Sequence, residues 1–234
     1  MNAAHTRRES AFSSASGYLA ACAGILLLLG TFYLMKRMAE SSEGLYFLLG
    51  AVVLGLAGLL CLGGLYMLQP NESAILTLFG KYIGTDRSEG LRWAFPFYVK
   101  RRLSLRARNF NAPTLKVNDK RGNPVEISAA VVWRVRDTAQ AVFEVDDFER
   151  YVSIQAEAAL RHLASQYAYD EGEDLAAGEM TLRGGAAEVA SALRVELTER
   201  FEAAGVETVD AKLTHLAYAP EIAQVMLRDR KSVV

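Results

Sequence analysis

The chain contains few of the residues that build covalent, metal or nucleophilic sites. Its 234 residues include only two cysteines and three histidines. Cys22 and Cys61 lie in uncharged apolar runs, which suits small packing residues better than a disulfide or a metal site. His5, His162 and His215 are far apart, and none has a second ligand at helical or turn spacing. These features predict no metal site.

An excess of one charge sign is also absent. The 26 Lys and Arg residues are balanced by 27 Asp and Glu residues, which gives a formal net charge of −1. Any contact with nucleic acid or an anionic surface must therefore be local. Aromatic residues do not alternate with basic ones as they do on a stacking platform, so nucleic acid is a disfavoured partner.

Motifs of common catalytic sites are missing as well. No serine has G-x-S-x-G surroundings, and Gly184-Gly185 does not form a phosphate-binding loop after a strand. Adjacent acids such as Asp146 and Asp147 have the pattern of a helix cap, not of an acid/base pair. The sequence therefore predicts no catalytic residue and no cofactor site.

Two long apolar runs stand near the N-terminus. Residues 17–35 (GYLAACAGILLLLGTFYLM) and 44–68 (GLYFLLGAVVLGLAGLLCLGGLYML) contain no charge. As helices they would measure about 28 Å and about 37 Å, and the hydrocarbon core of a bilayer is about 30 Å thick. We predict two transmembrane helices after a polar tail of residues 1–16, joined by a turn in KRMAESSE. Four tyrosines near the ends of the runs are expected at the interface: Tyr18, Tyr33, Tyr46 and Tyr66.

An alternative interpretation makes the first run a signal peptide, and the protein an exported binding protein with a mature N-terminus after residue 35. No small-x-small cleavage site follows the run, so a retained hairpin is favoured. Two spans place the tail and the remainder on one side. Four basic residues flank the membrane there and two lie in the loop, which predicts a cytoplasmic domain: Arg7, Arg8, Lys81 and Arg87, against Lys36 and Arg37.

After residue 68 the pattern becomes that of strands. Residues 72–79 predict a strand, and Gly80 and Gly84 bracket a short KYI segment before the turn-like TDRSEG. Leu103, Leu105 and Ala107 then share one parity and basic residues the other, which predicts one strand with a basic face. A second long strand, antiparallel to it, is predicted by six residues of one parity: Val125, Ile127, Ala129, Val131, Trp133 and Val135.

Two helices and a final strand are predicted in the last third. Asp146 or Asp147 can cap a helix whose face includes Phe148, Tyr151, Val152, Ala159, His162 and Leu163. Residues 184–204 predict a second helix through Val189, Leu193, Leu197 and Phe201, with Gly205 as its C-terminal glycine. Residues 206–218 predict a strand through Val209, Ala211 and Leu213, and Pro220 begins another helix.

Four segments, taken in order, resemble the SPFH, or band 7, family of stomatins, prohibitins, flotillins and the bacterial HflK and HflC proteins. They are YMLQPNESAILTLFGKYIGTDRSEGLRWAFPF, LRARNFNAPTLKVNDKRGNPVEISAAVVWRVRDTAQAVF, IQAEAALRHLASQY and GVETVDAKLTHLAYAPEIAQVML. The resemblance covers roughly residues 65–227. It implies an α+β fold in which the hairpin is followed by a β-rich SPFH domain at residues 69–218 and the start of a C-terminal helix at 219–234. It also implies that the β-rich domain lies against the bilayer, which explains the absence of a linker.

The resemblance implies a membrane-anchored scaffold and not an enzyme. Such a protein would form homo-oligomers in a bacterial inner or plasma membrane, organise lipid and protein microdomains, and confine or regulate partner membrane proteins. A membrane-bound AAA protease is one partner class that the family suggests, and no cofactor is implied. The alternative is a membrane-bound enzyme, such as a protease, whose site is not recognisable from the sequence.

The end of the chain departs from the family pattern. The sequence stops at Val234, before the C-terminal helix reaches any length, so either it is a fragment or its oligomerisation relies on the SPFH domain alone. Helices below about 12–15 residues are marginal in water. We therefore expect the complete protein to form large homo-oligomers and this 234-residue form to assemble poorly, since its apolar contacts are limited to Ile222, Val225, Met226 and Val233.

One basic set near the membrane is a candidate site for anionic lipid. Basic side chains gain about 1 kcal/mol each near an anionic bilayer. The alternative is an ordinary solvated strand face with acidic neighbours across the ladder. The set comprises Lys100, Arg101, Arg102, Arg106 and Arg108.

Overall fold

The computed structural model describes residues 8–40, 44–170 and 180–222. It confirms a mixed α+β fold with two apolar helices before a β-rich region. The helices are α1 (Gly17–Glu40), α2 (Gly44–Gly63), α3 (Thr138–Phe143), α4 (Phe148–Gln166) and α5 (Ala186–Phe201). The strands are β1 (Ala15–Ser16), β2 (Leu65–Leu68), β3 (Glu72–Leu78), β4 (Lys81–Asp86), β5 (Gly90–Trp93), β6 (Val99–Ser104), β7 (Arg108–Asn111), β8 (Leu115–Asn118), β9 (Pro124–Val135) and β10 (Val206–Tyr218).

The described chain divides into two compact units. The N-terminal unit is Glu9–Leu105, and the C-terminal unit contains Arg8 and the described residues from Arg106 onward. The division falls between β6 and β7, inside the stretch that the sequence predicted as one strand. That prediction was wrong, because β6 pairs with β3 whereas β7 pairs with β9. The alternation of apolar and basic residues continues through the break, so parity alone does not reveal the change of partner.

In the N-terminal unit, α1 and α2 form the predicted pair of apolar helices. Helix α1 continues five residues beyond the predicted end at residue 35, through KRMAE. Lys, Arg, Met, Ala and Glu all favour helix, and Arg37 Nε donates to Tyr33 Oη at 3.2 Å, one turn away. Glycines allow the two helices to approach closely, since Gly24 faces Leu62 and Gly58 faces Leu28.

Helix α2 ends at Gly63, earlier than the predicted end at residue 68. The last residues of the apolar run form β2 instead, and they bury Tyr66 and Leu68 in the core of the unit. A run of apolar residues has the same composition in a buried strand as in a membrane helix, so hydropathy did not find this boundary. Tyr66 is consequently in the protein core and not at the predicted interface.

Two antiparallel three-stranded sheets enclose that core. Their strand orders are β1-β5-β2 and β4-β3-β6. The residues 9–16, which we call the N-terminal strap, lie along both sheets: Phe12 N–H donates to Thr85 O at 2.9 Å, and Ala15 pairs with Trp93. Glu9 holds Arg87 through two contacts of 2.6 and 2.7 Å. The described part of the predicted polar tail is therefore a component of the β structure.

A fully buried carboxylate, Asp86, lies under the strap. Tyr66 Oη donates to Asp86 Oδ2 at 2.5 Å, and Ser88 N–H donates to Asp86 Oδ1 at 2.9 Å. Burial alone would raise the pKa of Asp86, but the hydrogen bonds that it accepts from Tyr66 and Ser88 outweigh burial and lower it. Because the pKa is lowered in the folded state, this network stabilises the fold at neutral pH, and its contribution is lost as the pH falls through the lowered pKa.

The C-terminal unit is a sheet covered by helices. Its strand order is β10-β9-β7, and β8 also pairs with β9. The predicted one-sided strand is confirmed in β9, where the residues from Val125 to Val135 at odd positions are all buried. Asp147 caps α4 as predicted, since its Oδ1 accepts N–H groups from Glu149 and Arg150 at 3.0 and 3.1 Å.

Helix α5 and its ending also follow the sequence. Val189, Leu193, Leu197 and Phe201 are fully buried, and a 3-10 turn leads to Gly205 at φ 62°. Helix α3 was not predicted; Asp137 caps it by accepting Gln140 N–H at 2.9 Å.

Strand β10 forms where predicted, but its inward face differs. Ala211 is buried, whereas Val209 is exposed, because the register shifts between Thr208 and Asp210. An extra residue in a strand reverses which face the following residues occupy. The helix predicted from Pro220 is present as far as Ile222. Its continuation lies outside the described residues.

Candidate membrane-facing surface

The end of α2 is joined by hydrogen bonds to both sheets of the N-terminal unit. Trp93 Nε1 donates to Cys61 O at 2.7 Å, and Ala94 N–H donates to Gly64 O at 3.1 Å. Lys100 Nζ lies 3.3 Å from the same Gly64 oxygen. Carbonyl groups at a helix C-terminus have no partner inside the helix, so these three donors satisfy a need that water or a linker would otherwise meet.

Two glycines permit this close contact at both ends of the hairpin. A Cβ on Gly64 would lie 2.4 Å from Ala94 O and from Trp93 Nε1. A Cβ on Gly17, at the start of α1, would lie 2.7 Å from the carbonyl carbon of Leu91. Any larger residue would separate the backbones. The start of α1 therefore packs against β5. The end of α2 packs against β5 and against Ala94, the residue that follows it.

The strand register identifies which end of the sheet adjoins α2. Strands β3 and β6 pair Leu76 with Lys100 and Thr77 with Val99. Because Lys100 touches Gly64, the last residues of β3 and the turn that follows them lie at the same end of the sheet as the end of α2. The loop before β6 lies there as well, since Pro96 is next to Gly63.

Large apolar side chains are exposed at this end. We call them the apolar rim: Phe79 is 94% exposed, Val99 66%, Phe97 61% and Phe95 45%. Phe95 and Phe97 contact one another with ring centroids 5.2 Å apart. Exposed apolar side chains collected beside the end of a membrane-length helix are typical of a surface that contacts lipid.

Phe79 combines this exposure with an unfavourable backbone. Its φ is 47°, and Gly80 after it has φ 82°, as the two-residue turn between β3 and β4 requires. Glycine and asparagine adopt such angles readily, whereas a bulky residue does so at a cost of order 1 kcal/mol or more. The Phe79 side chain is therefore displayed to the surroundings and gains nothing from the protein core.

A family comparison matches most of this region. The model described as SPFH domain / Band 7 family matches residues 66–232. The chain belongs to this family. The matched residues begin in β2, immediately after α2, so the SPFH domain has no linker between it and the hairpin. No curated protein matches the chain significantly.

The five basic residues predicted to bind lipid are distributed over both compact units. Lys100, Arg101 and Arg102 lie on β6, where their partners across the ladder are Leu76, Ile75 and Ala74, none of which is acidic. Arg101 and Arg102 are exposed, and within the described chain neither makes an ion pair. Lys100 is half-buried over the ring of Tyr66, and burial lowers its pKa.

Arg106 and Arg108 belong to the C-terminal unit. Arg108 forms an ion pair with Glu149 and lies over the rings of Trp133 and Phe148 at 5.5 and 5.7 Å. Three of the five predicted residues thus lie in the N-terminal unit and two in the C-terminal unit. The apolar rim, by contrast, was missed by the sequence analysis, and its only sequence sign was the aromatic-rich AFPF that follows Trp93.

The described histidines have protein partners. His162 Nδ1 lies 2.7 Å from Glu196 Oε1, and His215 Nε2 lies 3.8 Å from Glu126 Oε2. Across residues 8–40, 44–170 and 180–222, no three His, Cys, Asp or Glu residues are grouped as a metal site would require. Members of the SPFH family are generally non-enzymatic scaffolds, and the two apolar helices support association with a membrane.

Proposed function

We propose that this protein is a membrane-anchored scaffold that oligomerises at the bilayer, organises lipid and protein microdomains and confines or regulates partner membrane proteins. The proposal rests on the hydrogen bonds that join the end of α2 directly to the sheets, at and next to Gly64 and beside the apolar rim. A domain held in this way cannot drift from the membrane, so every copy presents the same surface at the same depth. A membrane-bound AAA protease is the partner class that we propose first.

We propose further that the apolar rim inserts into the lipid at the level of the headgroups. Burial of each exposed phenylalanine would contribute about 1.5–3 kcal/mol, which strengthens the attachment already given by the hairpin. Arg101 and Arg102 follow the rim along β6 and extend away from it, where they would meet anionic headgroups. Lys100 has a different role in this proposal, because its ammonium group contacts Gly64.

Environment-sensitive probes test the insertion of the rim. We expect a fluorophore attached at Phe97→Cys or Phe79→Cys, in a background without Cys22 and Cys61, to emit at shorter wavelength in liposomes than in buffer. Quenchers carried on lipid tails should reduce its emission several-fold. Glu89→Cys is the matched control, because Gly90 pairs with Leu68 at the opposite end of the sheet. Equal quenching at residues 89 and 97 would contradict insertion.

We propose that the strap and the SPFH domain face the cytoplasm. In cysteine-free protein in intact cells, a cysteine at Ser88→Cys is expected to resist an impermeant thiol reagent until the cells are opened. A cysteine at Ser42→Cys, in the loop between the helices, should react without lysis. The reverse pattern would place the domain on the other side of the membrane.

Electron microscopy of complexes extracted from native membranes tests the scaffold itself. We expect large homo-oligomers, seen as rings or cages. A population made up entirely of monomers would contradict the proposal. Turnover of peptide or lipid by the purified protein, abolished by a single substitution, would instead favour a membrane enzyme.

A further inference from the structure

A groove runs between α4 and α5 in the C-terminal unit. Its volume is about 710 Å³. One stripe of α5 forms most of it, with residues spaced by three or four positions over about 16 Å of helix. The residues that matter here are His162 and Gln166 of α4 and Glu188, Ala192, Val195 and Glu199 of α5.

The groove has an apolar centre between acidic ends. Val195 is more than half exposed beside Ala192. Glu196, in the wall, is neutralised by Arg200 at 2.7 Å and lies 2.7 Å from His162. Glu188 and Glu199 are exposed, and among the described residues neither forms an ion pair. A ligand that matches this surface is an amphipathic helix with apolar side chains at its centre and basic side chains around them.

The chain itself contains a segment of that chemistry. Residues 222–231 read IAQVMLRDRK, in which three basic residues outnumber one acid. In a helical projection, Ile222, Val225 and Met226 fall on one side, and Arg228 and Arg230 fall on either flank of it. Alone, so short a helix is marginal in water, so it needs a surface to bind.

We propose that the α4–α5 groove of one copy binds residues 222–231 of a neighbouring copy. This inference rests on the proposed scaffold function and specifies its interface. The contact is heterologous, because a groove on one copy meets a different surface on the next. Heterologous contacts propagate from copy to copy and close into rings when the rotation allows.

The path of the chain favours a neighbour over the same molecule. Strand β10 begins just after the end of α5, and its last residue, Tyr218, stacks on Tyr169 beyond the end of α4, with ring centroids 4.0 Å apart. The groove therefore lies beside β10, and the chain has already passed the groove when it leaves the strand at Tyr218. The exit is fixed by Ala219 N–H donating to Pro124 O at 2.9 Å and by Glu221 pairing with Lys116 at 2.7 Å. A segment binding its own groove would have to reverse direction immediately after these contacts.

Disulfide cross-linking between differently tagged copies tests the contact directly. In full-length chains lacking Cys22 and Cys61 and reconstituted in one membrane, we pair Ala192→Cys in one copy with Met226→Cys in the other. We expect a disulfide-linked dimer that carries both tags. Ile154→Cys paired with Met226→Cys is the matched control, because Ile154 is exposed on α4 but does not line the groove. Equal yields from both pairs would overturn the proposal. So would a chain carrying both Ala192→Cys and Met226→Cys that forms its disulfide only within itself and never with a neighbouring copy.

Charge reversal tests the acidic ends. Glu188→Lys with Glu199→Lys, or Arg228→Glu with Arg230→Glu, should each weaken assembly in lipid by about tenfold, and mixing the two reversed proteins should restore it. If both reversed proteins assemble like the wild type, the groove is not the interface, although the scaffold function stands. If the wild type remains monomeric in the membrane at every density, both proposals fail.

Discussion

Replacement of Gly64 by alanine is expected to open the junction between α2 and the first sheet. The new methyl group would lie 2.4 Å from Ala94 O and from the indole nitrogen of Trp93. Since both neighbours are held by hydrogen bonds to the end of α2, the backbone must move and these bonds must lengthen. We expect the free energy of unfolding of the N-terminal unit to fall by about 2–4 kcal/mol.

The adjacent glycine provides the control for Gly64→Ala. A Cβ on Gly63 would meet only Pro96 Cβ, at 3.6 Å, which is ordinary van der Waals contact. In a Trp133→Phe background, Trp93 is the remaining tryptophan, so its fluorescence reports on the junction. Gly64→Ala should shift that emission to longer wavelength and lower the unfolding midpoint in detergent. If Gly63→Ala caused an equal change, close backbone approach at Gly64 would not be the reason.

Replacement of Gly205 by alanine is expected to destabilise the C-terminal unit more than any surface change. Gly205 has φ 62°, which alanine adopts at a cost of about 1 kcal/mol. A Cβ there would also lie 2.4 Å from Asp137 O and 2.8 Å from Gln140 Cβ. The oxygen of Gly205 accepts N–H groups from Arg136 and Asp137, both at 2.9 Å, so the shift would disturb the cap of α3. We expect a total loss of about 3–5 kcal/mol.

Gly122 separates the two causes of that loss. It has φ 85°, and a Cβ there would have no atom within 4 Å. Gly122→Ala should therefore carry the backbone cost alone, about 1 kcal/mol. Urea unfolding in detergent, followed through Trp133, measures both variants. Similar losses from Gly122→Ala and Gly205→Ala would show that the crowding at Asp137 has no energetic weight.

The sequence predicted those parts of the fold that depend on local patterns. The one-sided strand from Val125 to Val135, the cap at Asp147 and the glycine at the end of α5 all depend on residues a few positions apart. The family resemblance was carried by longer segments and is confirmed by the match over residues 66–232. The wrong predictions concern partners that are distant in sequence. The break between β6 and β7 and the bulge before Asp210 depend on how strands pair with one another. The alternation of apolar and polar residues along one strand does not reveal this pairing.

The candidate surface was harder to predict than the fold. Charge near an apolar run is visible in a sequence, and it is the basis of the basic set. The protein contacts of those side chains are not visible there: Arg108 is paired with Glu149 and Lys100 contacts Gly64. The apolar rim depends on which apolar side chains remain exposed after folding. Phe79 and Leu76 differ in this respect although both belong to the same β-rich segment, because one lies at the turn and the other in the core. Such a difference follows from strand register and is not visible in composition.

The N-terminal strap has a consequence for the order of events during synthesis. Ser16 is made early, but it pairs with Arg92, which follows 76 residues later (92 − 16). At about 5–20 residues per second, roughly 4–15 s pass before its partner strand exists. Throughout that time the strap must wait, unpaired, on the side where β5 will emerge. For the cytoplasmic domain proposed above, the two helices would have to enter the bilayer together, as a loop, because a strap carried across the membrane by α1 alone would be separated from its partner strand.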